Sequence, residues 1–272
     1  MTGVTGRLGG RVARRLAGVG VELRLVVRDP GRVAGVVGAG VVEAEYGDGE
    51  RARVALSGVE TLCMVSASET PDRVGRHRTF VDAAAAAGVR HVVYTSFYGA
   101  GADATFTLAR DHWATEEYIR ASGLRYTFLR DNLYADFLSS MVGQDGVLRG
   151  PAGDGAVSVV ALDDIADVCA AVLRSPGEHA GATYDLTGPR SLTLTEIADT
   201  LGEVTGRHVR YHPETVAEAY ESRAGYGAPR WQVDAWVSTY TAIAAGELAG
   251  VSTAVHDLTG HPPTSLAELL RG

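Results

Sequence analysis

Three glycines spaced three residues apart stand at the start of the chain, in Thr2-Gly3-Val4-Thr5-Gly6-Arg7-Leu8-Gly9-Gly10. A helical pattern over residues 12–17 follows them, and an apolar, strand-like run over residues 23–27 follows the helix. Glycine lets a loop turn sharply and approach a pyrophosphate without a Cβ in the way. The helix behind the loop offers free N–H groups and the positive end of its dipole. This order predicts a dinucleotide-binding loop.

The strand that should precede such a loop is almost missing. A dinucleotide-binding fold places an apolar strand before the glycines, at the centre of the sheet. Here only Met1 and Thr2 precede Gly3. We expect either that the true start lies upstream or that the first strand is truncated, and the residues leave both options open.

Strand and helix patterns alternate over the first half of the chain. The predicted strands cover residues 23–27, 41–45, 61–66, 91–95 and 125–129, and the predicted helices cover residues 9–17, 51–56, 73–87 and 111–121. Short apolar strands separated by helices indicate a parallel sheet covered on both faces. We therefore predict an α/β fold with a dinucleotide-binding domain over residues 1–150. The last sheet elements and a smaller, mostly helical domain follow over residues 151–272.

Composition limits the class of protein. The chain has 272 residues, of which 46% are hydrophobic, and it shows no apolar run of membrane-spanning length, which favours a globular cytoplasmic protein. The formal net charge of −8 argues against a general affinity for nucleic acid. Cys63 and Cys169 lie among apolar residues and are predicted to be buried free thiols, and we predict no metal site. All 25 basic residues are arginine, so the chain cannot use the Tyr-x-x-x-Lys pair found in many nicotinamide reductases.

Segments spread over nearly the whole chain resemble the sequences of one protein family. The matching segments are Thr5-Gly6-Arg7-Leu8-Gly9, Val26-Val27-Arg28-Asp29-Pro30, Gly47-Asp48, Val65-Ser66-Ala67-Ser68-Glu69, Tyr94-Thr95-Ser96, His112-Trp113-Ala114-Thr115-Glu116, Leu129-Arg130-Asp131-Asn132-Leu133-Tyr134 and Leu258-Thr259-Gly260-His261-Pro262-Pro263-Thr264-Ser265. In their order and spacing they resemble the NmrA-like branch of the atypical short-chain dehydrogenase/reductases, and within it the NAD(P)H:quinone oxidoreductase type. The resemblance implies a Rossmann-type, doubly wound parallel sheet, a small C-terminal substrate domain and a cleft between them that holds the nicotinamide.

Cofactor residues follow from the loop, the strand ends and the resemblance. Arg28 lies at the tip of a strand, where a guanidinium can grip the 2′-phosphate of NADP, although Asp29 beside it leaves NAD as an alternative. Asp48 is either an adenine-side residue or a turn aspartate. The full predicted set for the cofactor is Gly3, Thr5, Gly6, Arg7, Leu8, Gly9, Arg28, Asp48, Val65, Ser66, Ala67, Thr95, Ser96 and His112.

Two residues are candidates for the chemistry. In the family comparison His112 occupies the position of the missing lysine, where it could contact the cofactor ribose or donate a proton near neutral pH. Glu116, four residues further on, could orient its ring or could be a solvated charge. Tyr134 could donate a hydrogen bond to a carbonyl oxygen, or could simply be packed. The predicted substrate residues are Phe97, Trp113, Asn132 and Tyr134, with ordinary core packing as the alternative for the aromatic ones.

These residues favour an NAD(P)H-dependent reductase that transfers hydride to a quinone or to an aromatic, polyketide-like carbonyl. A regulatory protein that senses NADP without turnover is the alternative from another class, and a secondary-metabolism enzyme of different chemistry is a third. The expected partner is a small aromatic or quinone substrate, and a homodimer stays open.

Overall fold

The computed structural model describes residues 1–33 and 35–272. They form two compact units that are each assembled from several stretches of chain. Unit 1 contains Met1–Phe97, Asp111–Arg130 and Leu162–Tyr184, and unit 2 contains Tyr98–Arg110, Asp131–Ala161 and Asp185–Gly272. The units therefore interleave along the chain and differ from a division into residues 1–150 and 151–272.

The five strands with predicted bounds are present with small shifts at their ends, and five more strands follow them among the described residues. They are β1 Arg24–Val27, β2 Gly40–Glu43, β3 Thr61–Val65, β4 His91–Phe97, β5 Arg125–Asp131, β6 Val147–Gly150, β7 Ala156–Val157, β8 Thr183–Leu186, β9 Leu192–Thr193 and β10 Arg210–Pro213. The main sheet has the order β3-β4-β5-β8, and β1 and β2 pair in parallel beside it as a separate ladder. All seven residues of β4 are buried, as expected for a central strand covered on both faces.

Eleven α-helices are present in the described part of the chain. They are α1 Arg7–Gly18, α2 Gly49–Leu56, α3 Arg73–Ala86, α4 Thr107–Ala121, α5 Leu138–Met141, α6 Leu162–Arg174, α7 Leu194–Thr205, α8 Val216–Arg223, α9 Arg230–Ala244, α10 Ala254–Thr259 and α11 Leu266–Arg271. Among the described residues, none of these helices is both long and apolar enough to cross a membrane.

Met1 and Thr2 lie between β1 and β3. The Val26 N–H donates to the Met1 carbonyl at 2.9 Å, and the Thr2 N–H donates to the Cys63 carbonyl at 3.0 Å. The Thr2 hydroxyl also accepts a hydrogen bond from the Val65 N–H at 3.0 Å. These two residues thus satisfy backbone groups of both neighbouring strands, which would otherwise be buried without partners.

Apolar side chains from β3, β4, α2 and α3 form the core of unit 1, around Phe80, Leu56, Tyr94 and Phe128. Helix α1 packs against α6, and Arg15 of α1 donates to the carboxylates of Asp163 and Asp167. Cys63 and Cys169 are buried free thiols, as predicted.

The ends of three helices are fixed by the chemistry of single residues. Gly88 and Gly123 follow α3 and α4 with φ of +85° and +79°, the left-handed conformation that glycine adopts without strain. Thr193 caps α7 in a capping box with Glu196.

In unit 2, β6 and β10 pair in parallel and β7 and β9 pair antiparallel, while α8 and α9 share a small buried cluster.

Candidate functional site

The glycine loop of unit 1 is shaped by close backbone contacts. Gly3 has φ +68°, and a Cβ there would lie 2.7 Å from the Cβ of Val65. A Cβ on Gly9 would lie 2.3 Å from the Gly3 carbonyl oxygen, so the start of α1 rests directly on the loop. Gly6 is different, because it is exposed and a Cβ there would be 3.2 Å from the same oxygen. Gly3 and Gly9 therefore fix the shape of the loop, whereas Gly6 is on its exposed surface.

The N-terminus of α1 has no internal cap. Gly6 is the N-cap residue and supplies no side chain, and the first turn carries no acidic residue. Unpaired N–H groups and the positive end of the helix dipole therefore remain available to an anion.

A cavity of about 340 Å³ opens beside this loop, inside unit 1. It is bordered by the ends of β1 and β3, by the segment after β2 and by α3. The predicted residues that line it are Gly3, Thr5, Gly6, Arg28, Val65, Ser66 and Ala67. A groove at the carboxyl ends of parallel strands is where open α/β sheets bind ligands.

Arginines line one side of this cavity. Arg28 was predicted there, and Arg32 and Arg76 join it. Within the described chain, none of these three side chains has an ion pair or a hydrogen bond, although most other arginines of this acidic protein are paired with carboxylates. The three guanidinium groups thus give the cavity a positive charge suited to a phosphate.

Tyr46 closes the inner side of the cavity. Its hydroxyl contacts the Thr2 hydroxyl at 2.6 Å and the Val65 carbonyl, and its ring lies 4.5 Å from that of Phe80. Burial raises the pKa of this phenol, which therefore stays protonated at neutral pH.

Other predicted cofactor residues lie outside the cavity lining. Leu8 is buried in the core, and Asp48 caps α2 by accepting a hydrogen bond from the Arg51 N–H at 3.0 Å. The Thr95 hydroxyl accepts from the Ser66 N–H at 3.0 Å and so holds the loop that lines the cavity. Ser96 donates to Glu116 at 2.6 Å.

His112 lies inside α4, which begins at Thr107, rather than at the start of a helix as predicted. It is 6% exposed. Arg73 donates through Nη2 to His112 Nε2 at 3.1 Å. Since a guanidinium can only donate, Nε2 carries no proton and the Nδ1–H donates to the Tyr94 hydroxyl at 3.0 Å. Burial, assisted by the Arg73 charge, holds the pKa of His112 well below its usual value, so the imidazole is neutral.

Arg73 and His77, four residues apart on α3, were not predicted as site residues. The Ala67 N–H donates to His77 Nε2 and Arg73 Nε donates to the Ala67 carbonyl, both at 2.9 Å. His77 Nδ1 bonds Thr115 at 2.8 Å. The two side chains thereby hold both backbone groups of Ala67, a cavity residue. Their helical spacing after the serine-rich loop is the signal that could have found them.

Glu116 does not contact His112. Its carboxylate is fully buried and accepts two hydrogen bonds from Arg130, at 2.9 and 2.7 Å, besides that from Ser96. Arg120 lies 3.2 Å away. This bidentate pair ties α4 to β5, and the solvated-charge interpretation of Glu116 is wrong.

The predicted residues after β5 belong to unit 2. Asn132 is completely buried and donates to the Ser158 hydroxyl and the Leu248 carbonyl. Tyr134 is half-buried and donates to Asp131 Oδ2 at 3.1 Å. Asp131 was not singled out from the sequence, yet it is 1% exposed and burial raises the pKa of its carboxyl well above the usual value.

The remaining predicted substrate residues lie in unit 1. Phe97 is 9% exposed, and its ring centroid lies 6.1 Å from that of His112. Trp113 is half-buried beside the guanidinium of Arg120.

Known proteins resemble this chain over its full length. It is 34% identical to quinone oxidoreductase 2 of Escherichia coli, covering 98% of this chain and 96% of that protein, and 31% identical to an NAD(P)H azoreductase of Xenophilus azovorans, covering 100% and 96%. The crystal structure of the Escherichia coli NADPH-dependent quinone oxidoreductase in complex with NADPH matches with a TM-score of 0.90 at 33% identity, over 99% of this chain and 97% of that one. The model of the NmrA-like family matches residues 1–225, and the chain belongs to that family.

Proposed function

We propose that this protein is an NAD(P)H-dependent oxidoreductase that binds NADP(H) in the cavity of unit 1 and reduces a quinone or an aromatic carbonyl compound. The observation that carries the proposal is the uncapped glycine loop facing the same cavity as three unpaired arginines. The two relatives named above, a quinone oxidoreductase and an NAD(P)H azoreductase, support it.

The shape and charge of the cavity fit this cofactor. The glycine loop offers N–H groups to a pyrophosphate without an obstructing Cβ, and Arg28, Arg32 and Arg76 offer guanidinium groups to a 2′-phosphate. When bound, the nicotinamide would supply hydride. This chain's own residues bind and orient the cofactor and the substrate. Tyr134 is proposed to turn the hydrogen bond that it donates to Asp131 in this structure to the substrate oxygen.

We assign His112 a positioning role. Its Nε2 is occupied by the Arg73 guanidinium, and its ring is neutral because it is buried. We propose that an imidazole in this state holds position rather than donating the proton considered from the sequence. It instead links Arg73, which holds Ala67, to Tyr94 on the central strand.

Titration of the intrinsic tryptophan fluorescence with NADPH and NADH, followed by NADPH oxidation with a panel of quinones, tests the proposal. We expect binding and turnover of at least one quinone. Tight binding with no oxidation by any quinone would instead support a cofactor sensor. A cytoplasmic location and a homodimer stay proposals.

Arg28→Ala is expected to raise the dissociation constant of NADPH and to leave that of NADH nearly unchanged. Loss of one charge-assisted contact costs about 1.5–3 kcal/mol, or roughly 10- to 100-fold in binding. Arg51→Ala is the control, because Arg51 is exposed and pairs with Glu43 outside the cavity. Equal weakening of both cofactors by Arg28→Ala would contradict the assignment of the 2′-phosphate to this residue.

Gly6→Val is expected to weaken cofactor binding by more than about tenfold, because its side chain would project where the pyrophosphate approaches. The backbone at Gly6 is extended, with φ −91°, which valine adopts without strain, and its Cβ would press on the Gly3 carbonyl oxygen at 3.2 Å, so we expect a loss of stability of about 1 kcal/mol. Gly9→Val is the contrasting variant, since its Cβ would collide with the Gly3 carbonyl and should lower the melting temperature. Unchanged NADPH binding by a folded Gly6→Val protein would mean that the loop is only a turn.

A further inference from the structure

A second, larger cavity lies wholly inside unit 2 and is not part of the cofactor site. Its volume is about 780 Å³, within the range of roughly 300–1,000 Å³ typical of small-molecule pockets. We call it the aromatic pocket and define it by Met141, Arg149, Arg223, Tyr226, Trp236 and Tyr240.

One wall of the aromatic pocket is rigid. The ring of Tyr240, 7% exposed, lies directly over the backbone of Gly150, where a Cβ would come within 2.2 Å of the ring. The guanidinium of Arg223 lies over this ring, 5.2 Å from the ring centroid. Tyr240 is thus held between a glycine and a cation, and its orientation is set before any ligand arrives.

Hydrogen bonds immobilise Arg223 in turn. Its Nη1 donates to the Glu214 carboxylate at 2.8 Å and its Nη2 donates to the Arg149 carbonyl at 3.1 Å. Arg223 and Glu214 are each 8% exposed, so this is a buried pair that links the end of α8 to the residue after β10, while the bond to Arg149 links α8 to β6. The wall therefore does not depend on a mobile surface side chain.

The second part of the wall exposes aromatic surface. Trp236 lies one turn before Tyr240 on α9 and so faces the same side of the helix. Tyr226 meets Trp236 edge to face, with ring centroids 5.9 Å apart and an interplanar angle of 86°. Tyr226 is nevertheless 73% exposed and Met141 opposite is 37% exposed. The fold leaves these side chains uncovered, and flat aromatic faces are the surface left for a ligand.

Charge in the aromatic pocket is balanced. Arg149 pairs with Asp145, which also lines the pocket, and Arg223 pairs with Glu214. Each guanidinium is thus matched by a carboxylate, and a charged ligand would gain no unpaired partner here. The lining favours an uncharged ligand whose rings can lie against Tyr226 and Trp236.

We propose that the aromatic pocket binds an uncharged, flat, fused-ring aromatic compound and thereby selects the substrate class of this enzyme. This inference rests on the proposed reductase function for its link to turnover. The binding itself does not require turnover, so the two can be tested separately.

Binding is measured first, without NADPH, by equilibrium dialysis of 2-naphthol and of its saturated counterpart decahydro-2-naphthol. These probes match in size and hydroxyl group and differ in planarity. We expect 2-naphthol to bind at least about tenfold more tightly. Tyr226→Ala and Trp236→Ala should each weaken it by about two- to tenfold, whereas Trp231→Ala, on the same helix but outside the pocket, should not. Equal binding of the two probes, or an equal effect of Trp231→Ala, overturns the proposal.

Turnover is measured next with 1,4-benzoquinone and 9,10-phenanthrenequinone. Trp236→Ala should lower kcat/KM for the fused-ring quinone by a larger factor than for the single ring, mainly through KM. Selective 2-naphthol binding with no NADPH oxidation by either quinone would overturn the reductase function but leave the pocket's ligand class standing. Reduction of both quinones by NADPH, with no preference for the flat probe in the binding experiment, would support the reductase function and overturn the ligand class of the pocket.

Discussion

Replacing Glu116 with alanine is expected to lower the free energy of unfolding by about 3–5 kcal/mol, the usual cost of removing one partner of a buried ion pair. Glu116 is 0% exposed, and its carboxylate accepts hydrogen bonds from Nε and Nη2 of Arg130. The Arg130 side chain is 18% exposed. Alanine would leave that guanidinium, and the hydroxyl of Ser96, without their acceptor. Urea unfolding of the two proteins at neutral pH measures the difference.

Glu117→Ala is the matched control for this prediction. Glu117 is the next residue of α4 and pairs with Arg120, but its side chain is 51% exposed. Solvent screens such pairs, so the expected loss is at most about 1 kcal/mol. Similar losses for Glu116→Ala and Glu117→Ala would show that the buried pair contributes no more than a surface pair.

Acid is expected to destabilise this protein through His77 and His112. Burial, with the Arg73 charge, lowers the pKa of His77 from 6.5 to about 3 and that of His112 well below 6.5. Between the folded and unfolded pKa values, the unfolded chain binds more protons than the folded one. The contribution of the two neutral histidines to the free energy of unfolding is therefore fully present above pH 6.5. It decreases as the pH falls, by about 1.4 kcal/mol per pH unit for each histidine.

The test compares the wild type with a His77→Gln/His112→Gln variant at pH 7.5 and 5.5. Between these values the wild type should lose about 2–3 kcal/mol more free energy of unfolding than the variant. Asp131, whose pKa is raised by burial, acts in the opposite direction, but it is present in both proteins and cancels in the comparison. Equal pH dependence of the two proteins would mean that these imidazoles are not held neutral.

Local patterns were sufficient to predict the elements of the first half of this fold. Alternating strands and helices follow from short-range periodicity, and the ends of α3, α4 and α7 from glycine and threonine chemistry within a few residues. The sequence could likewise predict that the glycine loop and Arg28 line one cavity, because both lie at the carboxyl edge of a predicted parallel sheet.

The states of the functional side chains depend on distant partners. His112 is neutral because folding buries it, and Arg73, 39 residues away in sequence, adds to the effect by donating to its ring inside the core. Glu116 is buried because Arg130 reaches it from β5, and Arg76 of α3 joins Arg28, which follows β1, at the cavity. The interleaved units likewise arise from long-range packing. Sequence alone thus determined the glycine loop, the order of elements and the family resemblance, since these depend on neighbouring residues. Only the tertiary structure decided which side chains are charged, paired or exposed, because burial and electrostatic partners depend on residues that folding brings together.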